Sequence, residues 1–517
     1  MSKKTKGVIA AGHEKTAEAG MEILNQGGNA FDAAIASVLT ACVVEPMLTS
    51  VGGGGFLLAH THQRENILFD FFTQTPRSKK PQGELDFYPI DVDFGDATQQ
   101  FHIGKGSIAV PGILAGLLQV HRRLGSLPLE AIAQPAIYYA KTGVVINDFQ
   151  GKCLQILKPI LLEQEETKHL YFSQGKLLEA GETLILADFA EALTHLVKKG
   201  IQDFYQGEIA QQIVHDLSSG GYLTLEDLQN YQVIERNPLK FNYRGYQLLT
   251  NPPPSSGGAL IAFSLKLLST LDLNQVEWGS AEHIDILTQV MSLTNESRKD
   301  GYDAHIYHPN IIAEFLGTAH LSKYQDLLHN RVNKWGSTTH ISVIDQQGNA
   351  ASVTTSNGEG SSYIIPRTGI MLNNMLGEED LNPFGFHQWQ CNQRISSMMA
   401  PTMVLTEGEP LFVLGSGGSN RIRTAIFQVI SNLIDFKMPI EKAIDFPRLH
   451  WENQTLNLEP NLYPFSPDDF QLSIQTQILP WQEKNMFFGG VHGVGKNSDG
   501  QMEGAGDSRR SGVVVGF

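Results

Sequence analysis

The residues best suited to chemistry lie around position 338. Ser337-Thr338-Thr339-His340-Ile341-Ser342-Val343-Ile344-Asp345 is followed by Gln346-Gln347-Gly348 and then by Asn349 to Ser356. This reads as a β-hairpin whose three-residue loop ends on a glycine in the left-handed conformation. With that loop Asp345 pairs with Asn349, Val343 with Ala351 and Ile341 with Val353, so both apolar rows face one way. The same register sets Thr338 opposite Ser356, on the more polar face with His340, Ser342 and Thr354. A four-residue loop would oppose Ile341 and Thr354, a poorer match. The chemistry open to such a hydroxyl is nucleophilic attack, provided a base takes its proton. Taken alone, a threonine at a strand edge is an ordinary strand residue.

Other groupings carry less. Glu378 and Glu379 are adjacent, and adjacent loop carboxylates do not provide the separation that glycoside hydrolysis needs. His492, in Gly489-Gly490-Val491-His492-Gly493, has no second ligand at metal spacing nearby and reads as a strand-end histidine. Gly52 to Gly55 is a run of four glycines with no Gly-Lys-Ser/Thr after it, so it reads as a close backbone crossing rather than a phosphate loop. Cys42, Cys153 and Cys391 match no zinc or redox spacing and read as buried, reduced thiols. Glu296-Ser297-Arg298-Lys299-Asp300 reads as a solvated helix face.

Around these residues the first half is mainly helical. Thr16 to Asn25 is a helix stopped by Gly27-Gly28, and Asn29 caps a second one whose apolar face is Phe31, Ala34, Ile35, Val38 and Cys42. Helices are expected over 111–124, 129–142 and 259–270, and strands over 67–72 and 243–249. A rigid-then-flexible segment, Pro252 to Gly258, precedes the last of these helices. Beyond a polar stretch at 321–337, strands dominate. Helices and strands in blocks imply an α+β chain around one core.

Composition narrows the class. Of 517 residues, 38 are basic and 54 acidic, for a net charge of −16. That balance argues against binding nucleic acid, whose phosphates demand a basic surplus. With 41% hydrophobic and 18% charged residues the chain is an ordinary globular one, large enough to need no disulfide or metal staple. No run of 18 apolar residues suggests a membrane span. Only Val8 to Ala11 are apolar near the basic N-terminus, so as written the chain reads as cytoplasmic. A leader lost from the true N-terminus would make it periplasmic or secreted.

Thr338 to Val343 with Gly348-Asn349-Ala350 resembles the processing motif of the γ-glutamyltranspeptidase family. The resemblance spans nearly the whole chain. Gly27 to Ala34, Gly52 to Phe56, Val110-Pro111-Gly112, Pro252 to Gly258, Gly369 to Asn374 and Ser396-Ser397-Met398 occur in the family's order. It implies an N-terminal-nucleophile hydrolase with a four-layer αββα sandwich. It further implies self-cleavage between Ser337 and Thr338, giving a large subunit (1–337) and a small one (338–517) that together make one compact domain. The freed α-amino group of Thr338, with an unperturbed pKa of about 7.7–8.0, would then be the base. By the same resemblance Ser356 hydrogen-bonds the nucleophile, and Thr339 assists cleavage or packs. Gly415 to Arg421 matches the loop whose backbone N–H groups hold the oxyanion, pointing to Gly418 and Ser419, or to Gly417 and Gly418. Ser396 and Ser397 match the pair that contacts the substrate carboxylate, and Gly504 to Arg510 matches a tail read as structural. No metal or cofactor is expected.

The departures fall on substrate recognition. Phe72 stands where the family places a carboxylate-binding arginine, and Arg77, five residues on, would need another backbone path. Gly358 replaces an asparagine and Met375 a glutamine. Glu378, beside Glu379 and Asp380, is the match for the acid that binds the substrate amino group. The segment 381–394 is short for the family's lid. The leading expectation is therefore an autoprocessing enzyme that cleaves or transfers a γ-glutamyl-type acyl group of glutathione-like amides. The alternatives are an acylase with a non-glutamyl acyl pocket, apolar or differently charged, around Phe72 and Met375, and a non-catalytic binding protein on the same scaffold.

Overall fold

The computed structural model describes residues 6–94, 98–325, 338–462 and 472–516. Its N-terminal helical pair forms where the caps predict. Helix Glu14–Asn25 starts after His13, whose side chain accepts from the Lys15 N–H at 3.0 Å. Helix Ala30–Val44 is held by a capping box in which Asn29 and Asp32 bond each other's backbone. All of its residues are buried, not one face alone, because helices and sheet surround it.

Two antiparallel sheets stack at the centre. The first has seven strands, in the spatial order Ile234–Arg236, Asn66–Phe71, Gly54–His60, Ala350–Ser356, Thr339–Asp345, Gly7–Ala11 and Val513–Val515. The second has six: Leu239–Tyr243, Tyr246–Thr250, Thr402–Thr406, Glu409–Gly417, Gly490–Lys496 and Met502–Ala505. One apolar core, including Ile9, Leu57, Phe69, Ile341 and Val353, joins the first sheet to the N-terminal helices. A second core, including Phe56, Leu68, Val413 and Val494, fills the space between the sheets and under helices Gly257–Leu268, Ala281–Ser297 and Arg421–Ile434. Helix, sheet, sheet and helix are thus layered as αββα, each sheet burying both faces.

The central hairpin has the expected register. Ile341 opposes Val353, Val343 opposes Ala351, Asp345 N–H bonds Asn349 O at 3.0 Å, and Gly348 has φ 89°. Strand Thr339–Asp345 lies between Gly7–Ala11 on one side and Ala350–Ser356 on the other, and the latter pairs with Gly54–His60. Strands from before and after position 338 therefore alternate in one sheet, and the halves share a core.

Three local expectations are corrected. Residues 243–249 are not one strand: a two-residue turn at Arg244 and Gly245, both with positive φ, splits them into a hairpin. Cys391 is exposed, unlike Cys42 and Cys153. Arg298 is not a solvated helix residue; its guanidinium bonds Asp303 and reaches Asn420 Oδ1 at 3.5 Å. The glycine run is a backbone crossing as expected. A Cβ on Gly53 would fall on the Ser356 carbonyl, and one on Gly54 would come within 2.6 Å of Thr73 N.

Candidate active site

Thr338 stands immediately before strand Thr339–Asp345 and is 4% exposed. Ser337 lies outside the described residues. Continuing the hairpin register by one pair sets Thr338 opposite Ser356, whose Oγ accepts from Gly358 N–H at 3.0 Å. The two hydroxyl residues line one small cavity of about 30 Å³.

The second sheet supplies the facing wall. A Cβ on Gly417 would fall on the carbonyl oxygen of Thr338, so only glycine allows strand Glu409–Gly417 to approach this closely. The chain then turns through Gly418 (φ 117°) and Ser419 (φ 48°) into helix Arg421–Ile434. The positive end of the helix dipole is therefore directed toward the loop beside Thr338, which favours developing negative charge there. Ser419 lines the cavity, while Gly417 and Gly418 build the backbone behind it.

Phe72 and Met375 both line the cavity and are 1% exposed. Phe72 stacks on Phe56 with centroids 5.3 Å apart. The guanidinium that reaches the Phe72 backbone is already engaged: Arg394 pairs with Asp70 at 3.2 Å and donates to Phe72 O at 2.6 Å. Arg77 faces Glu226 at 4.0 Å and does not line the cavity, so it does not take over the missing arginine's place. Among the described residues no lysine or arginine lines this cavity.

Its charged groups are Glu378 and Asp380. Burial raises the Glu378 pKa well above the usual carboxylate range, and the neighbouring Glu359 and Asp380 add to the effect. Its Oε1 is buried with no hydrogen-bond partner among the described residues. A Cβ on Gly358 would collide with that oxygen, so the departure at 358 makes room for the glutamate. Asp380 accepts a short hydrogen bond from Ser419 Oγ, and burial raises its pKa too.

The serine pair divides. Ser397 lines the small cavity, and its carbonyl is clamped by Ser256 N–H at 2.7 Å and Ser255 Oγ at 2.9 Å, the contribution of the segment after the prolines. Ser396 lines a separate, larger cavity next door.

His340, two residues from Thr338, is excluded as the base by its own bonds. Its ring nitrogens meet Thr354 Oγ1 at 2.8 Å and Ser342 Oγ at 2.9 Å, and burial lowers its pKa well below normal. Two contacts escaped the sequence reading. Arg510 donates to Thr338 O at 3.2 Å, so the C-terminal tail is tied to the residue that precedes the first hairpin strand. Glu45 accepts from Thr339 Oγ1 at 3.0 Å and Thr16 Oγ1 at 3.1 Å, with burial lifting its pKa to about 7. The Arg-Arg pair of the tail was a visible signal for the first; nothing local marks the second.

Comparison with known proteins fits this geometry. The model of the family described as Gamma-glutamyltranspeptidase matches residues 16–517. This chain belongs to the γ-glutamyltranspeptidase family. The glutathione hydrolase proenzyme of Escherichia coli (strain K12) is 30% identical over 536 residues, covering 97% of this chain and 90% of that protein. The acylase ACY 1 proenzyme of Pseudomonas sp. (strain SE83) is 28% identical over 525 residues, covering 99% and 93%. Among solved structures, the cephalosporin acylase from Bacillus halodurans superposes with a TM-score of 0.86 at 23% identity, covering 99% of this chain and 96% of that one. That likeness shows that the two chains share the layered αββα fold. Members of the γ-glutamyltranspeptidase family are acyl-transferring enzymes, and this chain is one of them.

Proposed function

We propose that the chain matures by cutting itself before Thr338 and then cleaves amides through an acyl-enzyme on that residue. The observation that carries this reading is the meeting of Thr338, Ser356 and the Gly417–Ser419 turn around one cavity at a helix N-terminus. In maturation, Thr338 Oγ attacks the Ser337 carbonyl, the Thr338 nitrogen leaves as an amine, and water hydrolyses the resulting ester. The freed amine then takes the Oγ proton as Thr338 attacks a substrate amide. Backbone N–H groups of the 417–419 turn stabilise the oxyanion. The ammonium returns its proton to the departing amine, and water or another amine releases the acyl group. Ser356 holds the nucleophile's hydroxyl, and Arg510 fixes the Thr338 carbonyl.

The acyl group is of the γ-glutamyl type, bound by its amino end. Glu378 Oε1, buried without a partner among the described residues, is the acceptor for a substrate ammonium. Gel electrophoresis and N-terminal sequencing of the purified protein test maturation: two fragments, the smaller beginning at Thr338, are expected. A small fragment beginning elsewhere would remove Thr338 from its role.

A second reading, an acylase for groups lacking the glutamyl carboxylate, is favoured by Phe72 and by a cavity lining that, among the described residues, includes no lysine or arginine. A carboxylate beside Phe72 would be desolvated without a partner. The two readings separate on kcat/KM for 4-nitroanilides of γ-glutamate and 4-aminobutanoate. Both acyl groups offer an ammonium, and only the first carries the carboxylate.

A further inference from the structure

Next to the nucleophile cavity lies a much larger one, of about 490 Å³ against about 30 Å³. The two share Leu381 as a wall, and consecutive serines divide between them, Ser396 in the large cavity and Ser397 in the small. We propose that the large cavity receives the amine half of the substrate, and that it selects an uncharged aromatic or aliphatic amine over a dipeptide with a free carboxylate. The inference rests on the reading of Thr338 as the acylated residue.

The character of the walls carries it. Ile306, Tyr307, Leu381, Phe384, Trp389 and Ile395 supply the apolar surface. None of the described lining residues is Asp, Glu, Lys or Arg; the imidazoles on the wall are those of His305 and His308. Both are turned to other partners: His305 Nδ1 lies 2.8 Å from Gly301 O, and His308 Nδ1 lies 3.9 Å from Glu314. A carboxylate entering here would lose water without a lysine or arginine on the described lining to replace it. Tyr307 is 42% and Phe384 59% exposed, in a chain that buries most of its large apolar side chains. An apolar ligand covering them would remove that surface from water.

These walls are also held in place. Tyr307 Oη donates to Arg394 O at 2.9 Å. Trp389 is packed by the edge of Tyr222 at 5.2 Å and by Lys79 Nζ over its ring at 4.7 Å. Phe384 rides on a turn closed by Gly385 N–H to Asn382 O at 2.9 Å. Asn382 Nδ2 in turn donates to Met375 O at 3.1 Å and Glu378 O at 2.8 Å. The turn bearing Phe384 is thereby tied to the backbone of two residues lining the nucleophile cavity. The volume lies within the range of small-molecule sites, roughly 300–1,000 Å³.

The test holds the acyl group constant and varies the amine, comparing the benzylamide with the glycylglycine amide on the processed enzyme. The benzylamide is expected to have a kcat/KM at least about tenfold higher, the scale of a well-filled apolar pocket. Trp389→Ala and Phe384→Ala should each erode that advantage, through a rise in KM that is larger for the benzylamide than for the dipeptide amide. Gln388→Arg, which brings a cation to the wall, should raise turnover of the dipeptide amide. Equal kcat/KM for the two amides, or unchanged benzylamide kinetics in both alanine variants, overturns the proposal. If neither amide is turned over, the reading of Thr338 fails first. Calorimetry then decides the cavity separately: benzylamine should bind the unmodified protein more tightly than glycylglycine and lose affinity in Trp389→Ala, and the reverse order overturns it.

Discussion

Two walls of the nucleophile cavity are built in different ways. The side that would carry the reaction is mostly backbone: the hairpin end at Thr338 and Ser356, the glycines that let the sheets meet, and the 417–419 turn. The side that would choose the acyl group is mostly side chain: Phe72, Met375, Glu378 and Asp380. Backbone set by sheet pairing cannot change without disturbing the sandwich, whereas a side chain on a cavity wall can be exchanged. The comparison teaches that reaction type and substrate choice are separable here, and that the first is held by the fold.

Changes on the backbone side should therefore be the most damaging. Thr338→Ala removes the hydroxyl needed for both maturation and turnover, so a single uncut chain without measurable amidase activity is expected on a gel and in an anilide assay. Gly418→Pro follows, with turnover reduced by at least about a hundredfold, the scale for losing one oxyanion donor. Since Gly418 has φ 117°, which proline cannot adopt, the backbone itself must shift. A folded, processed Gly418→Pro protein with normal turnover would place the oxyanion donors elsewhere.

Side-chain changes on the recognition wall should alter preference more than they abolish the reaction. Glu378→Gln is expected to lower kcat/KM for 4-aminobutanoyl anilide by about tenfold, as for a lost hydrogen bond to a charged group, while an unsubstituted butanoyl anilide is hardly affected. Equal losses on both substrates would remove Glu378 from recognition of the ammonium. Phe72→Arg should move the preference toward γ-glutamyl anilide by a smaller factor, because Arg394 already lies close and repels a second guanidinium. An unchanged ratio of the two kcat/KM values would show that position 72 does not face the acyl head.

The smallest effect concerns stability rather than catalysis. Burial lifts the Glu45 pKa from 4.5 to about 7. Between those values the folded chain holds more protons than the unfolded one, so Glu45 lowers stability as pH rises through that window and keeps it lowered above it. Glu45→Gln removes this loss of up to about 3 kcal/mol, at about 1.36 kcal/mol per pKa unit. Melting curves should show a higher Tm for the variant at pH 8 and a gap that closes toward pH 4. A gap independent of pH would mean that the Glu45 pKa is the same in the folded and unfolded chains.

How much of this was legible in the chain depended on distance along it. The hairpin register, the Asn29 cap and the glycine crossing were readable because each follows from local alternation, a cap residue or the loss of a side chain. The Arg244-Gly245 turn was missed because an arginine with positive φ is uncommon. Arg510 and Glu45 were not assigned to the site, since each meets the Thr338–Thr339 pair across 172 and 294 positions of sequence.

The order of residues by itself determined the register that sets Thr338 opposite Ser356, the glycines that permit close contact, and the acidic charge balance of the chain. Those follow from side-chain period, steric size and charge, properties that belong to each residue wherever it lies. Only the tertiary structure decided that Arg394 is spent on Asp70, that His340 is locked as a neutral core residue, and that Glu378 occupies the space left at Gly358. It also divided Ser396 from Ser397 between two cavities. Those outcomes depend on which groups burial brings together, and burial decides both the charge a side chain can hold and the partners left to satisfy it.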